Sequence, residues 1–421
     1  MPNVTGAPHR FCPTVVTEGR TTLAPRPGGV MVDRRMIDVD GLQALIDALL
    51  GRGYAVIGPT VRGGAVVNDR VTSVDDLPRG WGDEQGPANY RLRRREDDAF
   101  FGFAAGAQSA KPVFFPADEL LWRGTRSPDG RAFEVERSGP AGEDDGADAP
   151  SALLGVRGCD LAAVGIHDRV LAGRGFADTH YAHRRADAFV VAVACSDPGG
   201  TCFCASMGTG PAPDPQRADL VLTELLDGGH RFVVEVGSER GAEVLGDVPT
   251  SEATPADVDA GATVTEHAER RMGRRLDTRG LKELLYASVD SPRWAEVASR
   301  CLSCTSCTMV CPTCFCTSVD DVADLTGDAV ERHRVWDSCF TSAFSYIHGG
   351  TVRESASSRY RQWMTHKLAA WQDQFGSSGC VGCGRCITWC PAGIDITEEA
   401  AALRGLPGSN LPETAAVPGG E

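Results

Sequence analysis

Eight cysteines near the C-terminal end of this 421-residue chain stand in two runs whose spacing does specific chemistry. Cys301, Cys304, Cys307 and Cys311 follow C-x2-C-x2-C-x3-C, with Pro312 next. Cys380, Cys383, Cys386 and Cys390 repeat that spacing, with Pro391 next. Three thiolates on one tight loop can wrap three irons of a 4Fe-4S cube. The fourth sits further along and, in two-cluster ferredoxins, crosses to the other cube. The expected ligand sets are therefore Cys301, Cys304, Cys307 and Cys390 for one cube, and Cys380, Cys383, Cys386 and Cys311 for the other. Each proline fixes φ and lacks an N–H, so it ends its loop without a donor in need of a partner. The alternative is a pair of zinc sites, since zinc also takes four thiolates. Zinc ribbons space two separated C-x2-C pairs, whereas four cysteines crowd into 301–311.

The elements that must position these runs read as two regions. Up to about residue 289 the pattern is mixed α/β. Met36–Leu50 has helical spacing, closed by Gly51. Tyr54–Ile57 and Ala65–Val67 read as strands, and Val113–Phe115 is a further apolar run. The acidic, Gly-rich stretch 134–150 reads as a disordered surface loop. Leu153–Val156 and Phe189–Ala194 read as strands, and Leu161–Val170 as a helix. Leu220–Leu226 and Arg231–Val236 suggest a hairpin turning at Asp227-Gly228-Gly229. Glu239–Leu245 reads as a short helix, and Asp247–Gly261 as a loop. Leu281–Val289 and Ala295–Cys301 are helical, with Ser291-Pro292 as N-cap and first position. The connector between the runs, 312–379, is too long for a compact β-type ferredoxin, and Tyr360–Phe375 is helical in pattern. The expectation is an α+β protein: 1–289 mixed α/β, 290–400 an α-helical two-cluster ferredoxin-like domain, and 401–421 a flexible tail.

Half of the sixteen cysteines lie outside the two runs. Cys195, Cys202 and Cys204 stand in CSDPGGTCFCASMGTGP, where Gly199 and Gly200 let the backbone turn back. Cys159 follows the neighbouring strand-like run, and both Cys159 and Cys195 fall at strand C-terminal ends, where open α/β sheets place their ligands. These four form a candidate third 4Fe-4S site, with Asp160 or water as a substitute for one thiolate. The bland reading makes them small buried hydrophobes. Cys314, Cys316 and Cys339 complete another site or pack beside a cluster, and packing is favoured. Cys12 is read as structural. His167, His180 and His183 read as surface or helix residues rather than ligands. Gly155–Gly165 lacks a Walker lysine and dinucleotide spacing, and the G-x-G at 208–210 is an ordinary turn signal.

Composition narrows the class. No secretory leader or apolar span is evident, so the cysteines read as metal ligands in a reducing cytoplasm. A net charge of −15 argues against nucleic acid.

RGCDLAAVGIHDRV, CSDPGGTCFCASMGTGP, CLSCTSCTMVCPTCFC, WDSCF, RYRQWMTHK and CVGCGRCITWCPAGIDI occur in this order. Together they resemble the iron–sulfur β-subunit of cytoplasmic nickel–iron sulfhydrogenases, which is similar to the corresponding iron–sulfur subunit of anaerobic sulfite reductase. The likeness covers roughly residues 40–400. GGTCFC and WDSCF are more specific to that family than the paired runs. The resemblance implies a non-catalytic electron-transfer subunit with two 4Fe-4S clusters and a third in the N-terminal region. Its partners would be a flavin subunit that handles NAD(P)H and the catalytic metal subunits of a hydrogenase or a sulfite reductase, with no nucleic acid and no membrane. The alternatives are a self-contained redox enzyme using the N-terminal iron–sulfur site, and a zinc-held structural protein.

Overall fold

A computed structural model describes residues 33–137, 149–173 and 175–405. Cys12, positions 138–148 of the acidic stretch and the tail beyond 405 lie outside the described residues. The described residues belong to one compact unit.

Strands in chain order are β1 (Arg34–Asp38), β2 (Ala55–Arg62), β3 (Ala65–Arg70), β4 (Trp81–Gly86), β5 (Asn89–Arg94), β6 (Asp118–Arg126), β7 (Phe133–Arg137), β8 (Ser151–Val156), β9 (Phe189–Val193), β10 (Leu220–Leu225), β11 (Arg231–Val236), β12 (Ser251–Glu252), β13 (Thr317–Ala323), β14 (Ala329–Trp336), β15 (Tyr346–Ile347) and β16 (Gly350–Thr351). Eight build one sheet in the order β12-β1-β11-β10-β9-β8-β2-β3. Its centre, β10-β9-β8-β2, is parallel and its flanks antiparallel. Every residue of β9 is buried, as a strand covered on both faces requires. The two-residue side-chain period splits the core. Leu154, Val191 and Leu222 face Leu42, Leu45 and Ile46 of the 39–51 helix, while Leu153, Val190 and Val221 face Leu161 and Val164 of the 158–171 helix.

The mixed α/β start and the dicluster C-terminal part agree with the α+β reading. Several local readings are corrected. Residues 36–38 belong to β1, and the helix begins only at Val39, where Asp38 accepts from the Gly41 N–H as N-cap. Asp247–Gly261 is no loop. It carries β12 and enters the Pro255–Arg270 helix, started by a Thr254/Asp257 capping box with Pro255 at the first position. That helix is sparsely apolar, which hid it from a periodicity reading. Positions 134–137 of the acidic stretch are strand β7. The last helix, Ile396–Gly405, runs past residue 401 with Leu403 buried. Ser291 is not the N-cap of the 293–300 helix, whose cap position is Pro292.

The connector holds the Ala356–Thr365 and Trp371–Phe375 helices, joined through a π-turn at 366–370. It also holds the β13–β14 hairpin, which pairs with β6 to give a second sheet, β13-β14-β6-β7. Among the described residues no helix is long and apolar enough to cross a membrane.

Candidate metal centres

The two cysteine runs fold alike. In each, the residue two after the first cysteine and the residue one after the second have positive φ: Ser303 at 50° and Thr305 at 68°, Gly382 at 65° and Gly384 at 76°. A short helix follows, Ser306–Met309 in one and Arg385–Thr388 in the other. The left-handed positions curl the loop so that its backbone amides turn toward its own sulfurs. Ser303 N donates to Cys301 Sγ at 3.4 Å, and Gly382 N to Cys380 Sγ at 3.4 Å. Ile394 N donates to Cys390 Sγ at 3.4 Å.

The fourth cysteine of each run lies with the other run. One cavity is lined by Cys301, Cys304, Cys307 and Cys390, and by Cys386 as well. A second is lined by Cys311, Cys380, Cys383 and Cys386. Trp363 borders both. Exposure separates them: Cys304 and Leu302 are exposed, whereas Cys311 and Cys383 are buried.

Burial raises Cys307, Cys380, Cys383 and Cys386, pushing Cys380 up to about 12. Cys311 goes the other way. The Cys314 thiol donates to it, and the Lys367 ammonium sits 3.1 Å from its sulfur, so it is held well below the usual thiol range. Lys367 is itself buried and also donates to Thr313 Oγ1 at 3.0 Å. Burial opposes its charge, but Cys311 and Cys314 keep it protonated.

The surroundings fit clusters rich in acceptors. Tyr360 Oη, Trp363 Nε1 and Trp389 Nε1 are buried without a hydrogen-bond partner. Tyr360 lines the first cavity, beside Cys386, Cys307 and Cys301, and burial together with Glu399 keeps its phenol protonated. An unpaired buried donor costs about 1–3 kcal/mol, which a sulfide acceptor would relieve. Among the described residues no group of three or more His, Cys, Asp or Glu side chains is placed around a single ion. A cube takes thiolates at separate corners, whereas zinc draws them to one point.

The other cysteine group gathers beside the second cavity. Cys159 sits in the first turn of the 158–171 helix rather than at the end of β8, and Cys195 follows β9. β8 and β9 are parallel neighbours. Cys195, Cys202 and Cys204 interact with one another, and Cys159 with Cys204. Burial raises all four, Cys204 to about 12. Cys202 Sγ is 3.7 Å from Cys383 O. This closeness depends on glycine: a Cβ on Gly382 would stand 2.6 Å from Phe203 O, and on Gly384 2.5 Å from Thr201 O. Phe203 N also donates to Gly382 O at 2.8 Å. Asp160 is taken up by Arg385, through contacts of 2.6 and 2.8 Å, and is not turned to the thiols as a substitute ligand.

Of the histidines, His167 is on its helix but buried, His180 pairs with Glu119, and His183 with Asp187. Sequence reasoning missed Lys367, Tyr360 and Trp363. The RYRQWMTHK stretch contains all three, and a 3.6-residue period places them within two turns of one helix.

Residues 300–394 match the 4Fe-4S dicluster domain family. A curated relative, the sulfhydrogenase 2 β-subunit of Pyrococcus furiosus (strain ATCC 43587 / DSM 3638 / JCM 8422 / Vc1), is 33% identical over 260 residues, spanning 61% of this chain and 75% of the relative. No solved structure matches. The fold and cysteine runs define an iron–sulfur protein with a 4Fe-4S dicluster domain. The chain belongs to the family of sulfhydrogenase β-subunits.

Proposed function

We propose that this chain relays electrons between a flavin subunit that oxidises or reduces NAD(P)H and the catalytic metal subunit of a hydrogenase. The observation that carries this is the sorting of the eight paired-run cysteines into two adjoining cavities, with Cys386 and Trp363 at both. Cys301, Cys304, Cys307 and Cys390 would hold one 4Fe-4S cluster, and Cys380, Cys383, Cys386 and Cys311 the other. Cys159, Cys195, Cys202 and Cys204 would hold a third, next to the second through Cys383. When bound, such clusters supply one-electron storage, with potentials set by hydrogen bonds, charge and burial. The chain's own residues do the rest. N–H groups and Lys367 donate to ligand sulfurs, Trp363 offers a donor between the sites and Tyr360 one at the first, and the apolar shell excludes water. The exposed Cys304–Leu302 edge supports an exit to a partner at the first cluster, and the N-terminal thiols an entry. The name of the P. furiosus relative favours the hydrogenase arm over a sulfite-reductase complex. The domain limits 1–289, 290–400 and 401–421 and the cytoplasmic setting belong to the same proposal.

The test is anaerobic purification with iron analysis and reduction. About twelve irons are expected, four per cube, bleached by dithionite, with no NADPH turnover by the isolated chain. Changing Cys202 and Cys204 to Ser together should lower the count to about eight and leave the paired-run signals intact. About eight irons in the fully loaded native chain would remove the third cluster. Steady NADPH oxidation without flavin or partners would replace the relay by an enzyme.

A further inference from the structure

Cys314, Cys316 and Cys339 are absorbed by none of the three proposed clusters, and all three are free thiols. Their placement is not alike. Cys314 is joined to the ligand Cys311. Cys316 and Cys339 are joined to each other: their thiols share a hydrogen bond.

The fold builds this pair. Cys316 immediately precedes β13 and Cys339 follows β14 by three residues. The strands pair with Thr317 opposite Trp336, and Asp337 N donates to Cys316 O at 2.8 Å. The two cysteines therefore sit at the open end of one antiparallel hairpin, where the Asp337–Cys316 backbone bond holds the entering and leaving segments side by side. Ser338, buried and next to Cys339 in the chain, accepts from Phe340 N at 3.0 Å and bonds Thr308 Oγ1 at 2.8 Å. That fixes the turn carrying Cys339.

The surroundings are cationic. Lys367 acts on both thiols. Lys111 acts on Cys316 while lying 3.4 Å over the Trp336 ring. Its neighbour Cys339 and the Lys367 charge hold Cys316 down at about 7, despite burial. Both cysteines are partly exposed. A thiolate-prone, accessible cysteine beside a second thiol is the arrangement of thiol–disulfide exchange centres.

We propose that Cys316 and Cys339 form a redox-active dithiol that closes reversibly to a disulfide, with a low-molecular-weight disulfide as its oxidising substrate class. The Cys316 thiolate attacks one sulfur of that substrate, forming a mixed disulfide and releasing one thiolate. The Cys339 thiol passes its proton to the released thiolate and attacks Cys316 Sγ, releasing the second thiolate, which takes a proton from water. Two protein thiols are oxidised to one S–S bond, and one substrate disulfide is reduced to two thiols. The two thiols lie within hydrogen-bonding reach of each other, and closure brings the sulfurs to bonding distance, about 2.0 Å.

The test uses the anaerobically purified, cluster-loaded chain. It is equilibrated in oxidised and reduced glutathione mixtures of graded ratio, then alkylated, digested and read by mass spectrometry. The expected result is a Cys316–Cys339 cross-linked peptide that appears and disappears reversibly with the ratio, at unchanged iron content. Cys316→Ser and Cys339→Ser should each abolish the cross-link and retain all the iron. Full alkylation of both cysteines at every ratio would overturn the proposal. So would loss of iron in either serine variant, which would make the pair cluster ligands instead. Neither readout depends on how many clusters the native chain holds, so failure here is distinct from failure of the relay.

Discussion

Lys367 offers the sharpest handle on the proposed relay. Its ammonium donates to Cys311 Sγ at 3.1 Å and lies in the cavity of Cys311, Cys380, Cys383 and Cys386, not in the one containing Cys304. A cationic donor on a ligand sulfur favours the reduced, more negative cluster, so it raises the potential. Lys367→Met keeps a similar side-chain volume in the buried site while removing charge and donor. A charge-assisted hydrogen bond contributes roughly 1.5–3 kcal/mol. If about half of the upper value is specific to the reduced state, the difference is ~1.4 kcal/mol, a tenfold change, or ~59 mV for one electron. The second cluster should therefore move down by about 60 mV in an EPR-monitored redox titration, and the first should stay in place. Lys367→Arg, which keeps the charge, should recover much of the loss. An unchanged second potential, or a shift confined to the first cluster, would refute the reasoning.

Three further outcomes are expected. Cys390→Ala should disturb the cluster held by Cys301, Cys304 and Cys307 and spare the one held by Cys380, Cys383, Cys386 and Cys311; spectra with damage confined to the latter would remove the crossed assignment. Cluster reconstitution should slow as pH falls, because burial holds Cys380 and Cys204 up at about 12 and metal must displace those protons; rates independent of pH would contradict this. His167 is lowered to about 4 by burial and by nearby Lys111. Its folded value lies below the unfolded one, so the unfolded chain binds the extra proton. Stability is full above about 6.5 and falls toward pH 4, by roughly 3 kcal/mol at 1.36 kcal/mol per unit. Anaerobic thermal melts of His167→Leu should lose that slope, and an identical slope in the variant would assign it to other groups.

The cluster signal was legible in the sequence because it is local. A cube needs three thiolates on one loop, and the spacing in 301–311 and 380–390 records that need directly. The strands and helices at 151–171, 189–193 and 220–245 were legible for a similar reason: each carries its own period. Readings failed where the determinant was short-range but not apolar, as at Thr254-Pro255, where a cap starts a helix with few buried residues, and at Asp38, which ends a strand and caps a helix within one residue. Tertiary structure alone decided the rest. β14 finds β6 across some two hundred residues of chain, and no pattern within either strand names its partner. Gly382 and Gly384 admit Phe203 and Thr201 only because the N-terminal loop packs there, which is what brings Cys202 beside Cys383. Lys367 reads in sequence as one more helical lysine; packing turns it inward onto Cys311, where desolvation makes a single charge count. The sequence by itself determined what kind of group these thiols hold, since ligand spacing is a property of the loop. Which donors tune it, and which spare thiols meet beside it, depend on contacts between distant segments that only the folded chain brings together.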